Sequence, residues 1–395
     1  MSQLLDDTVR ASYGKLLSLL SRKTRNIALC EDALSEAIAS AMKLWPTAGE
    51  PKNPEGWLLS VARRKIIDEW RKHKTVVDQE WSDLSSEAEM PSSQERQETQ
   101  GPLPDERLNL MFVCANPAID FSVRTALMLQ TVMGLTVNQI ASAFLMSPAV
   151  LNKRLTRAKN KIRASGIPFE WPEEEELVPR VHNVLEAIYG AYGRTDEELD
   201  AAAVVLARLM ADAFPSHTEV LGLASLLLYC ESRRRASRTE RGEYVPLDQQ
   251  DVSLWDQAQY QAAEAYLFQA HRLGAPGPFQ IEAAIQSAHA FRLLSGVDTG
   301  PAICSLYEAL VSIAPTAGAL VGQIAAVAQF QGWEKALDLF DPLAEADYRE
   351  FQPYWALKAE LLRRAGRLEP SRQAAQRAAG LSSDPAVRTW LLRTI

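Results

Sequence analysis

LTVNQIASAFLMSPAVLNKRLTRAKNKI, residues Leu135–Ile162, is the stretch on which the reading of this chain turns. Thr136 stands where a hydroxyl caps a short helix whose apolar side is Ile140 and Phe144, four residues apart. Leu145-Met146 then makes a turn. Ser147-Pro148 places a capping hydroxyl before a proline at the first helical position, where its missing N–H costs nothing. In the helix that follows, Leu151, Leu155, Ala158 and Ile162 recur at steps of four, three and four and share one inward face. The opposite face carries Ala149, Lys153, Arg157 and Asn160, flanked by Val150, Arg154 and Lys161.

A tight turn between two helices, the second anchored by leucines and bristling with long cations, is what reading a DNA major groove demands. The small Ala149 and Val150 let the helix end approach base edges. Val150, Lys153 and Arg154 are the expected base readers, and Arg157 and Lys161 the expected phosphate contacts. The alternative is a solvated basic face on an ordinary helical domain.

Working outward, the charge pattern is uneven. The 395-residue chain has a net charge of −8 and a pI near 5.4, which taken alone argues against a simple nucleic-acid coat protein. Yet Ser147–Ile167 holds six basic residues and no acidic one, and Asn53–Lys74 holds six basic against three acidic. Residues 75–102 reverse this, with seven acids and one base among Ser and Gln, and read as an acidic flexible linker.

Strand-like alternation is absent, so the fold class is all-α. Helices are expected over 6–22, 29–44 and 54–74, then over 104–114, 120–133, 136–144 and 148–164. Asn53-Pro54 is a second cap-plus-proline start, and Pro46–Asn53 reads as a break. Thr195…Glu198 and Ser216…Glu219 fit capping boxes. The units are therefore 1–74, the linker 75–102, 103–167, and an Ala- and Leu-rich helical region, 168–395. In the last, Gly332 and Gly366 stand 34 residues apart. Counting from them gives Ala325…Gly332…Ala336…Phe340 and Ala359…Gly366…Ser371…Ala375, with a weaker copy Ala302…Leu306…Ala309…Pro315. That period is the tetratricopeptide one.

No apolar run reaches the ~18 residues of a membrane helix, and no secretory signal is apparent, so a cytoplasmic protein with no membrane contact is expected. The four cysteines, Cys30, Cys114, Cys230 and Cys304, are scattered without a CxxC pair, which argues against zinc or a disulfide framework. There is no HExxH, phosphate loop or GxSxG, so no catalytic residue, metal or cofactor is expected.

The same residues carry a family resemblance. Leu135–Ile162 resembles the fourth conserved region of sigma factors, which contacts the minus-thirty-five promoter element. CEDALSEAIASAMKLW, Cys30–Trp45, looks like the second-region helix that docks on the polymerase clamp. NPEGWLLSVARRKIIDEWRK, Asn53–Lys72, looks like the helix after the promoter-opening loop. The segments DERLNLMFVCANPAI, RASGIPFEWP, EVLGLASLLL, LDQQDVSLWD and GPFQIEAAIQSAHA resemble the extracytoplasmic-function subgroup with a tetratricopeptide-like C-terminal extension.

The resemblance implies three domains: a three-helix region two, a helix-turn-helix region four, and a helical-repeat region. It implies as partners core RNA polymerase, through its β′ clamp and β flap, promoter DNA, and a regulatory protein or peptide on the repeat. Asp32 and Glu36, four apart on one face, would meet the clamp. The loop Pro46–Asn53 would capture a flipped base of the minus-ten element, with Arg63, Arg64, Lys65 and Arg71 on the DNA backbone. Trp57 either stacks on a base or belongs to the core. One departure stands out: Cys114-Ala115-Asn116-Pro117 replaces the family's frequent Cys-Cys-His-Pro, which undercuts thiol or metal sensing there. A helical-repeat adaptor and a polymerase-independent helix-turn-helix repressor are the alternatives, and co-purification with core polymerase discriminates.

Overall fold

The computed structural model describes residues 3–73, 106–144, 146–169, 174–193 and 197–394; the acidic segment 75–102 lies outside them. Among the described residues the fold is all-helical, and the chain divides into two units, Met1–Leu209 and Met210–Ile395.

The first unit begins with α1 (Gln3–Thr24), α2 (Ile27–Ala48) and α3 (Pro54–His73). The turn between α1 and α2 places Arg25 at φ 51°, and Asn26 caps α2 by accepting from the Leu29 N–H at 3.2 Å. Asn53 Oδ1 accepts from the Gly56 N–H at 2.9 Å at the start of α3. The break expected at Pro46 falls later, because α2 runs through Pro46 to Ala48 before Gly49 ends it. The ring removes only one helical N–H, near the helix end, while Trp45 is buried and holds the last turn on the core. The loop is therefore 49–53.

Next come α4 (Glu106–Cys114), α5 (Phe121–Met133), α6 (Val137–Ala143), α7 (Pro148–Ala164), α8 (Glu174–Ala191) and α9 (Glu197–Ala213). Helices α1 and α5 cross at Gly14, where an added Cβ would sit 2.0 Å from the Val132 carbonyl oxygen. Backbone meets backbone there, which only glycine permits. Ser18 donates to the Glu106 carbonyl at 2.6 Å, and Arg22 faces the Glu106 carboxylate at 3.6 Å. Buried Arg124 donates to the carbonyls of Ile119 and Pro117 and to Asn183 on α8. The unit thus extends past 167: α8 presses Val181, Val184, Leu185 and Ile188 into it, against α4 and α5.

The second unit contains α10 (Thr218–Ser232), α11 (Gln257–Leu273), α12 (Pro278–Ser295), α13 (Gly300–Ile313), α14 (Ala317–Phe330), α15 (Trp333–Phe340), α16 (Gln352–Arg364), α17 (Leu368–Leu381) and α18 (Pro385–Thr394). Helices near one another in sequence pack together, chiefly α10 with α11 and α12, α13 with α14, and α16 with α17. Ala336, Ala359, Ser371 and Ala375 are buried where helices cross, and Ser371 donates to the Ala359 carbonyl at 2.8 Å. Their counterparts Ala325, Ala302 and Ala309 are exposed, so the spacing does not repeat the packing there.

The capping box expected at Ser216…Glu219 does not form. His217 occupies the cap of α10 with no side-chain bond. Glu219 instead accepts from the N–H groups of Phe279 and Gln280, at 2.8 and 3.0 Å. Its carboxylate sits at the start of α12, whose positive dipole end offers it two orphan donors. Thr195, of the other expected box, lies outside the described residues. No helix among the described residues is long and apolar enough to cross a membrane.

Candidate nucleic-acid interface

Local chemistry fixes α6 and α7 before tertiary packing does. Thr136 Oγ1 accepts from the Gln139 N–H while the Gln139 side chain accepts from the Thr136 N–H, a reciprocal cap on a helix of only seven residues. Ser147 Oγ accepts from the Val150 N–H at 3.3 Å, with Pro148 at the first position of α7. Leu151, Leu155, Ala158 and Ile162 are buried, and α7 packs on α6, α5 and α2. Ile140 is buried and Phe144 half-buried.

The other face of α7 is open. Ala149, Val150, Lys153, Arg154, Arg157, Asn160 and Lys161 are all exposed, Val150 by 47%. An exposed valine in the first turn leaves apolar area without a partner, as a base-methyl contact requires. Among the described residues, Lys153, Arg157 and Lys161 have no carboxylate within ion-pair distance. Arg154 lies close enough to Asp120, the cap of α5, to help hold its carboxyl below the usual range, after the larger effect of the two bonds from Ser122. One lysine of the basic run is different. Lys159 points inward and pairs with Glu31 of α2.

The α2–α3 side holds the other candidates. Asp32 and Glu36 are exposed and line a groove with Leu29, Ser35, Lys65, Asp68 and Glu69. Four carboxylates meet there; Asp68 and Glu69, on the facing helix, were not among the residues singled out from sequence. Their spacing along α3 is what would have marked them. Lys65 is drawn to Glu36 at 2.8 Å, which raises the lysine's pKa. Arg64 is exposed, Arg71 is exposed and lies 3.8 Å from Asp68, and Arg63 lines a crevice with Leu19, Leu20, Lys23 and Ile66. Trp57 is half-buried and meets Trp45 edge to face, ring centres 5.5 Å apart.

Cys114 is fully buried beside the Thr131 hydroxyl, and burial pushes its thiol up to about 12. It is therefore a protonated, unreactive thiol at neutral pH. No group of three or more His, Cys, Asp or Glu able to hold a metal occurs among the described residues.

Comparison with known proteins gives the class first. Residues 8–76, over most of α1–α3, match the model of sigma-70 region 2. Residues 180–271, from α8 through α11, match a family of unknown function, DUF6596. The whole chain is 34% identical to an uncharacterized protein of Rhizobium meliloti (strain 1021), over 98% of this chain and 94% of that one, and belongs to the same family. No solved structure matches.

Proposed function

We propose that this protein is a sigma factor of the extracytoplasmic-function type: it binds core RNA polymerase and directs promoter-specific initiation. The observation that carries the reading is α7. Its leucines are buried, and its exposed face keeps three long cations free of carboxylates among the described residues. A helix face left charged and unpaired supports a polyanionic partner, since nucleic-acid affinity grows with each phosphate neutralised. Val150, Lys153 and Arg154 read bases of the minus-thirty-five element, Ala149 allows their approach, and Arg157, Asn160 and Lys161 hold the backbone.

On the α2–α3 side, Asp32 and Glu36, joined by Asp68 and Glu69, form the face for the cationic polymerase clamp. Trp57, Arg63, Arg64, Lys65 and Arg71 serve the minus-ten side, with Lys65 exchanging Glu36 for phosphate. The second unit, a tetratricopeptide-like array, regulates activity by binding a protein or peptide. The match of residues 8–76 to sigma-70 region 2 supports this reading. The test is promoter-dependent transcription by core polymerase with the full-length chain. Activity that needs the protein and an intact α7 supports the proposal; polymerase-independent operator binding supports a repressor instead.

A further inference from the structure

In the second unit, the connection between α10 and α11 folds back on itself, and Arg238 and Tyr244 face each other as an antiparallel pair. The Thr239 N–H donates to the Glu243 carbonyl at 2.9 Å, and the Val245 N–H donates to the Ser237 carbonyl at 3.0 Å. These two bonds flank the pair, so the N–H and carbonyl groups of Arg238 and Tyr244 themselves point away from each other. On its outer edge, the Tyr244 N–H and carbonyl have no hydrogen-bond partner among the described residues. An extended edge with open backbone groups is a template for a further strand.

The same segment faces α18 across a cleft of about 800 Å³, a volume that suits a short ligand. Three contacts tie the two walls together. Arg238 pairs with Asp384 ahead of α18, Arg393 pairs with Glu243 at 3.0 Å, and Tyr244 meets Trp390 edge to face at 5.5 Å. Tyr244, Val245, Pro385, Ala386 and Trp390 make the apolar part of the lining, and Arg241 and Arg393 set two cations against the one carboxylate of Glu243. Arg393 occupies that carboxylate. Arg241 is exposed, with no carboxylate within ion-pair distance among the described residues. The open edge calls for an amide, the apolar wall for an apolar side chain, and the spare cation for an acid. A polypeptide supplies all three; a nucleic-acid backbone has no amide to pair with Tyr244.

We propose that this cleft binds an extended peptide of a partner protein, added alongside residues 243–245 through main-chain hydrogen bonds to Tyr244. The peptide sets an apolar side chain against Trp390 and Ala386 and an acidic one at Arg241. This deepens the reading of the second unit as a peptide-binding regulator and is independent of polymerase binding. The test titrates the full-length chain with terminally blocked heptapeptides. These carry a glutamate beside a phenylalanine in a serine and threonine background, and a control series replaces the glutamate with lysine. Each probe is also made with a single N-methyl group moved along its backbone. Wild type should prefer the glutamate series about tenfold. N-methylation should weaken binding about tenfold at alternate positions and leave the intervening ones unchanged, since only every second N–H faces the edge. Arg241→Glu should reverse the preference for glutamate. Thr389→Tyr, at an exposed position on the α18 wall, should block every probe with circular dichroism unchanged. Affinity indifferent to N-methylation at all positions overturns the strand addition, and that arm needs no protein variant. Binding that survives both variants lies elsewhere on the chain; it overturns this site and leaves the regulator reading standing. Oligothymidylate bound in place of the peptides, and lost in Thr389→Tyr, assigns the cleft to nucleic acid and overturns the proposal. Binding of no probe at all overturns it too, and the regulator reading then rests on transcription alone.

Discussion

Lys159 and Glu31 stand 128 residues apart in the chain, yet they form a buried ion pair between the helix with the cationic stripe and the helix with the acidic groove. The pair is costly to break from one side. Lys159→Met leaves the Glu31 carboxylate buried, with burial already pushing its pKa up against the opposing effect of the lysine. The variant should lose about 3 kcal/mol in urea unfolding. Adding Glu31→Gln should recover most of that, because no uncompensated charge then remains.

Gly14 makes a second, independent prediction. The α1–α5 crossing has no room for a Cβ, and the obstacle is backbone, which yields poorly. Gly14→Ala should destabilise the first unit by about 1–3 kcal/mol, the usual cost of overpacking. Denaturant titration of the first-unit transition measures it. By contrast Gly166→Ala, which meets nothing nearby, should cost only the strain of its positive φ of 60°.

The second unit should respond to acid through His289. Burial, then the neighbouring Arg292, hold its pKa down to about 4, against an ordinary 6.5. A histidine kept neutral in the fold binds its proton more readily when unfolded. Its stability contribution is therefore complete above pH 6.5 and is lost as pH falls toward 4, about 3 kcal/mol in all. Unfolding of the full chain followed across that range, against His289→Gln, should show a flatter acid limb for the variant.

The division of labour along α7 predicts two kinds of defect. Arg157→Ala or Lys161→Ala should weaken DNA binding on every sequence alike and lower the slope of log affinity against log salt by about one each. Lys153→Ala should cost about 1–3 kcal/mol on the preferred site and relax discrimination there. Filter-binding or fluorescence titrations at several salt concentrations separate the two.

How far the sequence could be read follows from range. Helices and caps at Asn53, Thr136 and Ser147 were legible because they are local: a hydroxyl or amide, a proline and a 3.6-residue period fit within a few turns. The buried face of α7, Leu151 to Ile162, was legible for the same reason. Glu219 shows the limit. It sits three residues after a serine, as a capping box requires, but its partner is the start of α12, sixty residues on. Nothing local distinguishes the two fates. Lys159 was read as one cation of a basic run, since its partner Glu31 lies 128 residues away on α2. The place of α8 in the first unit was hidden likewise, because Arg124–Asn183 is a long-range contact between two ordinary-looking helices.

The most direct measurement is promoter-dependent run-off transcription by core RNA polymerase with the full-length protein, wild type against Lys153→Ala with Arg157→Ala. The account predicts a transcript that requires the protein and falls at least tenfold in the double variant while the fold, by circular dichroism, is unchanged. A wild-type protein that neither binds core polymerase nor supports a transcript, or a double variant as active as wild type, would contradict it.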